Sequence, residues 1–520
     1  MRLIILIFLS FQLTYKISVF MPKYKIFSLL ILLAAGLSFS CCTNADKNPN
    51  ILIFLTDDLG YGDLGCYGNT IISTPNIDKL AEEGVRFTDF HSAGTVCSPS
   101  RGSLLTGRHP YRIGFYYILG GGAHLRAEET TLPNILRENG YETFFAGKWH
   151  LTNFDRPKAN QPDPYDHGFD HWFATSVNAF DGPESPGKFW RNGEPVGELH
   201  DWYCNLIVDE AIGWLKKREN QDKPFFMEIC THEPHTPINP PEVYSDRYDN
   251  AEVERLEDSV SYGYVPRPEK DIEDNKKYYY GTVEQIDAAF GSLMKSLDDN
   301  GLKDNTLVIF TSDNGPEYPV NFMESKGEWD DPIRDKCFGT PGPLRGMKRF
   351  TYEGGHRVPG IISWPSGAKK GVVSDVLING TDFMPTLCAL IGINPPGNIS
   401  IDGENMLKAF KGNDQKRLAP VVWSAPVHEY EFVPPMTLRD GDYMLVGFFN
   451  KKSPEQLWMD WIKTSMPESY ALYNLKDDIG QQNDISDLEP EKTDELSRKM
   501  TKIWLDIQAE CPVWPNWKAK

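Results

Sequence analysis

Asn50-Ile51-Leu52-Ile53-Phe54-Leu55-Thr56-Asp57-Asp58 decides how the rest of this chain is read. An unbroken apolar run without alternation marks a strand buried on both faces, as in a parallel sheet covered by helices. The run stops at two carboxylates. The same design returns at Thr306-Leu307-Val308-Ile309-Phe310-Thr311-Ser312, followed by Asp313-Asn314-Gly315. Either polar pair alone is an ordinary strand-to-turn junction, because Asp and Asn favour turns. Together they offer only oxygen donors, which suit a hard cation such as calcium or magnesium.

Helix and strand patterns alternate between these two runs. Thr74-Pro75 reads as the start of a helix carrying Ile77, Leu80 and Ala81 and stopped by Gly84. Val85 to Phe90 reads as a strand, and Leu132, Ile135 and Leu136 as a helical face. Tyr141 to Ala146 reads as a strand closing on Gly147-Lys148-Trp149-His150. A helix is expected from Tyr203 to Arg218, with Leu206, Ile207, Ile212 and Leu215 inward. The strand Pro224 to Cys230 leads into Thr231-His232-Glu233-Pro234-His235-Thr236-Pro237. Val283, Ile286, Phe290, Leu293 and Leu297 mark the buried face of a longer helix. The Pro-, Asp- and Trp-rich stretch from Leu151 to about His200 reads as long loops over the sheet's carboxyl edge, and residues 245–275 as acidic and irregular. A strand at Gly360 to Trp364 and a helix opening at Asp382 follow. From about residue 416 the pattern changes to short strands and turns, with Arg439-Asp440-Gly441-Asp442-Tyr443 the clearest, and a helix over 490–509 closes the chain. The expected fold is α/β: a large mixed, mostly parallel sheet sandwiched by helices over residues 50–415. A smaller α+β subdomain with an antiparallel sheet follows over residues 416–520.

Asp57, Asp58, Lys148, His150, His235, Asp313 and Asn314 all lie just past the carboxyl end of a predicted strand. In a parallel sheet those ends share one rim, where open α/β sheets bind ligands. The formal net charge of −20 argues against a general nucleic-acid or anionic-membrane surface. An anionic substrate must then be met by a local group of cations, and Arg101, Lys148, His150, His235 and Lys348 supply one. The 9 cysteines show no repeated spacing and no C-x-x-C pair, so neither a disulfide framework nor a zinc ribbon is read from them. Residues 1–41 carry the marks of an export signal: Met21-Pro22-Lys23-Tyr24-Lys25, an apolar run to Leu37, and small residues before Cys41-Cys42. Met21 begins a complete lipoprotein-type signal by itself and is a candidate true start. Lipidation of Cys41 would leave residues 42–49 as a tether.

Cys97-Ser98-Pro99-Ser100-Arg101 continues as Gly102-Ser103-Leu104-Leu105-Thr106-Gly107. It reads as a loop entering a short helix that Gly107 ends. The sulfur then lies near the positive end of a helix dipole, a place that suits an anion and a reactive cysteine derivative. C-x-P-x-R followed by a small residue and Leu-Thr-Gly resembles the signature of the type I sulfatases of the alkaline phosphatase superfamily. In that family the cysteine is oxidised after translation to formylglycine (3-oxoalanine). The other motifs stand in the family's order: Thr-Asp57-Asp58, Gly-Lys148-Trp-His150, His-x-Pro, Ser-Asp313-Asn314-Gly, and Lys348 ahead of Glu353-Gly354-Gly355. The likeness covers almost all of the chain from Asn50 and is strongest to the arylsulfatase and N-acetylgalactosamine-6-sulfatase branch.

The resemblance implies that Asp57, Asp58, Asp313, Asn314 and the modified Cys97 bind one calcium ion, with Arg101 steadying the modified residue. It implies that Lys148, His150, His235 and Lys348 hold the sulfate and handle protons. His232 and His235 both fit His-x-Pro. The family histidine stands eleven positions beyond the proline that opens the strand, which from Pro224 selects His235 and leaves His232 as a substrate contact. His356 stands where the family more often has an aliphatic residue. The implied activity is hydrolysis of sulfate esters on a sulfated polysaccharide or oligosaccharide, after maturation by a formylglycine-generating enzyme. The implied location is the periplasm or cell surface, with membrane contact only through the lipid. The nearest alternative is a phosphodiester or phosphonate monoester hydrolase using the same modified residue. An alternative of another class is a non-catalytic surface glycan-binding protein.

Overall fold

In the computed structural model, residues 48–120, 122–178, 182–252, 270–318, 335–425, 427, 436–515 and 517 are described. The signal region, Met21, Cys41 and nearly all of the tether lie outside them. The strands of the larger part, in chain order, are β1 (Asn50–Thr56), β2 (Val85–Phe87), β3 (Phe90–His91), β4 (Glu142–Lys148), β5 (His171–Thr175), β6 (Trp190–Arg191), β7 (Glu194–Pro195), β8 (Phe225–Cys230), β9 (Thr306–Ser312), β10 (Gly360–Ser363), β11 (Val372–Ser374) and β12 (Ile378–Asn379). They form a 10-stranded sheet in the order β11-β2-β10-β9-β1-β8-β4-β5-β6-β7, with β3 and β12 as a separate pair. The two apolar runs are neighbours: β1 and β9 pair in parallel from Asn50↔Thr306 to Thr56↔Ser312. β1–β8, β8–β4 and β4–β5 are also parallel, whereas β10 runs antiparallel to β9 and β2.

Burial on both faces explains the unbroken apolar pattern. Leu52, Phe54, Phe144, Met227, Val308 and Phe310 face one core. There they meet Ile77 and Leu80 of α1 (Pro75–Glu82), Ile207 of α4 (Tyr203–Lys217), and Val283 and Phe290 of α5 (Lys276–Asp299). Ile51, Ile53, Leu55, Phe145, Phe226, Leu307 and Ile309 face the other core. Their partners there are Leu104 and Leu105 of α2 (Cys97–Thr106), Leu132 and Leu136 of α3 (Leu132–Glu138), and Phe383 and Leu387 of α6 (Phe383–Leu390). Full burial of one such side chain contributes about 1.5–3 kcal/mol, so the central strands are the stable floor on which the rim is built.

The C-terminal part is a four-stranded antiparallel sheet of β13 (Val421–Ser424), β14 (Met436–Asp440), β15 (Tyr443–Phe449) and β16 (Pro467–Asn474). Gly441, at φ 59°, makes the tight β14–β15 turn. α7 (Pro490–Glu510) covers this sheet with Leu496, Met500, Trp504 and Ile507 against Met436, Leu438, Leu445 and Leu472.

Four expectations need correction. The stretch from Leu151 to His200 is not all loop: β5 extends the sheet beside β4, and β6–β7 form a hairpin on its far side. Val85 to Phe90 is not one strand, because β2 pairs in the large sheet and β3 with β12. The buried face of α4 is Tyr203, Cys204, Ile207, Val208, Ala211 and Leu215, while Leu206 and Ile212 are half-buried at its margin. Within residues 245–275 the described part includes short helical turns at Asp246–Tyr248 and Lys270–Asn275. Among the described residues, Cys66, Cys97, Cys204, Cys230, Cys388 and Cys511 are outside any disulfide.

Candidate active site

Adjacency of β9, β1, β8 and β4 brings their carboxyl ends together. Asp57 and Asp58 follow β1, Asp313 and Asn314 follow β9, His232 and His235 follow β8, and Lys148 ends β4 just before His150. α2 points its first residue, Cys97, at this rim, and Gly107 (φ 67°) ends the helix in the left-handed conformation. Every residue of α2 is buried, including Arg101. Gly147 lets β4 lie close to β8: its φ is +116°, and a Cβ there would stand 1.8 Å from the Cys230 carbonyl oxygen.

The charged groups interlock. The Cys97 thiol donates to Asp57 Oδ1 at 3.4 Å, and Lys148 Nζ donates to Asp57 Oδ2. Arg101 donates from Nε to Asp313 Oδ2 at 2.9 Å and from Nη1 to the Lys148 carbonyl at 2.9 Å. Lys348 Nζ donates to Asp58 Oδ2 at 2.6 Å, and Asn314 Nδ2 to Asp58 Oδ1 at 2.7 Å. His235 Nε2 lies 3.7 Å from Asp58 Oδ2, while its Nδ1 donates to the Thr236 carbonyl at 2.7 Å. His150 is buried with Nδ1 unpaired. His232 donates from Nε2 to Thr175 Oγ1, whose own hydroxyl is given to the Val177 carbonyl, and packs on Tyr203. The structure thus brings together every residue singled out at the rim, whereas His232 is engaged by Thr175 and Tyr203 rather than by the carboxylates.

Two of these backbones, and that of Arg349 next to Lys348, are strained. Asp58 (φ 66°), His150 (φ 55°) and Arg349 (φ 80°) occupy the left-handed region, which costs a non-glycine residue about 1–2 kcal/mol. Such strain persists where surrounding contacts over-determine it, and it concentrates at functional sites.

Burial is the largest influence on every titration here. It pushes the Cys97 thiol well above its ordinary range, with Asp57 adding to the effect against Lys148 and Lys348. Burial also raises Asp313 to about 6, with Asp57 next in weight. Asp58 goes the other way: burial is outweighed by Lys348 and His235, and the carboxylate is held below its ordinary value. Burial, then Lys348, lowers His235 to about 3, and burial, then Lys148 and Arg101, pulls His150 well below its usual value. Both imidazoles are neutral. Lys348 is held protonated, because Asp58 outweighs the burial that opposes its charge.

The donor set fits a divalent cation. Ligand atoms of Asp57, Asp58, Cys97 and Asp313 all lie within 4.8 Å of one another, and the buried Oδ1 of Asn314 accepts no hydrogen bond. The carboxylates of Asp57, Asp58 and Asp313 are matched by Lys148, Lys348 and Arg101. A dication would tip this balance positive, as an anionic substrate requires. Sequence reasoning missed Glu317 and Arg349. Arg349 donates to both oxygens of Glu317, at 2.7 and 2.8 Å, and Glu317 lies 3.8 Å from Lys348. Their positions beside Gly315 and Lys348 were the available signal.

Comparison with known proteins gives the same answer. The family model described as Sulfatase matches residues 49–393, and that of the N-sulphoglucosamine sulphohydrolase C-terminal region matches residues 347–509. Among curated relatives, N-acetylgalactosamine-6-sulfatase of Canis lupus familiaris is 33% identical over 413 residues, covering 74% of this chain and 69% of that protein. Arylsulfatase A of Homo sapiens is 34% identical over 414 residues, covering 74% and 71%. Among solved structures, Ps i-CgsB in complex with k-i-k-neocarrahexaose superposes with a TM-score of 0.71 at 25% identity, covering 91% of this chain and 95% of that one. The phosphonate monoester hydrolase of Agrobacterium radiobacter shares the fold, with a TM-score of 0.61 at 18% identity, covering 89% and 96%. The rim of interlocked acids and cations therefore stands in a member of the sulfatase family, a sulfuric ester hydrolase with the alkaline phosphatase-like fold.

Proposed function

We propose that this chain removes sulfate groups from a sulfated polysaccharide or its oligosaccharides, using a formylglycine made from Cys97. The observation that carries the reading is the convergence of Cys97, three carboxylates and three matching cations at one buried rim. The carbohydrate class is supported by the relatives, N-acetylgalactosamine-6-sulfatase and Ps i-CgsB bound to an oligosaccharide. Export, lipid attachment at Cys41 and maturation by a formylglycine-generating enzyme complete the proposal. Among the described residues no helix is long and apolar enough to cross a membrane.

Asp57, Asp58, Asp313 and Asn314 would hold a calcium ion, which would neutralise sulfate oxygens and favour ionisation of an adjacent hydroxyl. A formylglycine supplies a hydrated aldehyde, two hydroxyls on one carbon, one to attack sulfur and one whose deprotonation releases the sulfate. Lys148 and Lys348 neutralise charge on the sulfate oxygens as it redistributes in the transition state. Arg101, tied to Asp313 and the Lys148 carbonyl, fixes the helix end from which residue 97 projects. Lys348 and His235, both beside Asp58, are the two groups that would protonate the departing alcohol. Lys348 is the one carrying a proton in the resting state, while His235 presents a bare Nε2. His150, neutral and with Nδ1 open, takes the proton of the second hydroxyl.

The test compares aryl sulfate with aryl phosphodiester and phosphonate monoester substrates, using protein whose Cys97 peptide has been weighed. Expected are a lighter peptide, faster sulfate than diester turnover, and no turnover by Cys97→Ala. Full activity in Cys97→Ala ends the formylglycine reading, and faster diester turnover ends the sulfate one.

A further inference from the structure

A second cluster of metal-binding side chains lies behind the rim and plays no part in the chemistry above. His91 on β3 and His356 in the turn Glu353–His356 meet with their Nδ1 atoms 2.9 Å apart. Backbone bonds lock the segments together: Ser92 N–H donates to the His356 carbonyl at 2.8 Å, and Val358 N–H to the Phe90 carbonyl at 2.9 Å. All three side chains of the cluster, His91, Glu353 and His356, are fully buried.

Proton counting shows what this contact lacks. His91 Nε2 lies 2.8 Å from Asp89 Oδ1, an acceptor, so Nε2 carries the hydrogen. His356 Nε2 lies 3.2 Å from the Thr351 carbonyl, again an acceptor, so its hydrogen is also on Nε2. Two neutral imidazoles then present two bare Nδ1 lone pairs to each other. Only a third proton or a metal ion between them makes the contact favourable. A proton would leave Glu353 Oε1, which is buried and has no hydrogen bond, with only Arg439 Nη1 at 3.8 Å for company. Donor atoms of His91, Glu353 and His356 lie within 4.8 Å of one another.

We propose that His91 Nδ1, His356 Nδ1 and Glu353 Oε1 form a second, structural metal site for a nitrogen-seeking divalent ion of the zinc class. With metal–nitrogen bonds of about 2.0–2.1 Å, the observed separation of the two nitrogens subtends an angle of about 90°, so the two rings would part by a few tenths of an ångström to reach the tetrahedral angle zinc prefers. The surrounding bonds are those that orient metal ligands: a carboxylate on one histidine, a backbone carbonyl on the other, and Arg357 holding Glu353 Oε2 at 2.9 Å. Asp89 and Glu353 are matched by Arg357 and Arg439, at distances of 2.9–3.8 Å. Net negative charge therefore does not draw the ion. The imidazole lone pairs do, which selects zinc over calcium, and binding displaces no proton. Trp423 of the C-terminal sheet stacks on His356 at 4.0 Å and 7°, so the ion would pin that sheet's neighbour in place.

The test loads the full chain with zinc in calcium-saturated buffer, passes it through gel filtration, and measures metal content and zinc X-ray absorption. Expected are one retained zinc per chain with two imidazole nitrogens in its shell, and its loss in His356→Leu and His91→Gln. Asp89→Asn is expected to weaken zinc binding ten- to hundred-fold. Folded wild-type protein that retains no zinc would show that the rings share only a proton, and that overturns the site. So does an all-oxygen zinc shell, which would place the ion on the catalytic carboxylates. The wild-type spectrum decides even where a variant fails to fold.

Discussion

Replacing Lys348 by Met removes one positive charge from the rim while keeping its bulk. The Lys348 ammonium is 4% exposed and 2.6 Å from Asp58 Oδ2, so its field reaches a sulfate in that cup with little screening. For unit charges about 4 Å apart at an effective dielectric of about 20, the interaction is about 4 kcal/mol. At 1.36 kcal/mol per tenfold, that is about a thousandfold in kcat/KM. Loss of one donor from a preorganised anion site gives about a hundred- to thousandfold in kcat, so the two arguments meet. The assay is steady-state hydrolysis of aryl sulfates whose leaving groups span a range of acidity, with thermal melting to establish that Lys348→Met is folded. A proton-donating Lys348 makes the loss deepen as the leaving group becomes more basic. A role confined to ground-state binding moves KM and leaves kcat alone. A folded Lys348→Met within fivefold of wild type on every substrate would refute the placement of Lys348 at the sulfate.

Three further outcomes test other parts of the reasoning. Chelation is expected to lower activity at least tenfold and calcium to restore it, read by turnover after dialysis; indifference to both removes the metal assignment at Asp57, Asp58, Asp313 and Asn314. His235→Ala is expected to lose about a hundredfold in kcat and His232→Ala tenfold or less, mainly in KM, because only His235 lies against Asp58; the reverse order would exchange their roles. Burial raises Glu228 from its ordinary 4.5 to about 7. Between those values the folded chain keeps a proton that the unfolded chain has released, so stability falls as pH rises through the window. Glu228→Gln should then raise the melting temperature at pH 8, by up to about 3 kcal/mol of stability, and leave it unchanged near pH 4; an equal shift at both pH values contradicts this.

The central strands were legible because burial on both faces forces an unbroken apolar run, as at Ile51 to Leu55 and Leu307 to Phe310. The rim followed from them, since a parallel sheet leaves no choice about where strand ends meet. β5 was hidden because His171-Trp172-Phe173-Ala174-Thr175 sits among loop residues and is stabilised by pairing with β4, a contact no local pattern announces. The division of Val85 to His91 between two sheets was invisible for the same reason, since partners as distant as Ile362 and Ile378 decide it. On α4 the small residues Cys204 and Ala211 face the core, and the larger Leu206 and Ile212 drew the reading to the margin. Glu317 and Arg349 escaped notice because a buried ion pair looks in sequence like two surface charges. The contact between His91 and His356 joins residues 265 positions apart, and neither carries a local signature.

The burial of α2 has a consequence for how the molecule is made. Cys97 is 1% exposed, at the floor of a helix whose every residue is covered. Another enzyme cannot close its own active site around that side chain while the helix is packed. Any conversion of the thiol must therefore precede closure of the sheet around it, while the pentapeptide is still extended. Biosynthesis becomes a race between chemistry and collapse, and overproduction that outpaces the chemistry would yield well-folded, permanently inert molecules.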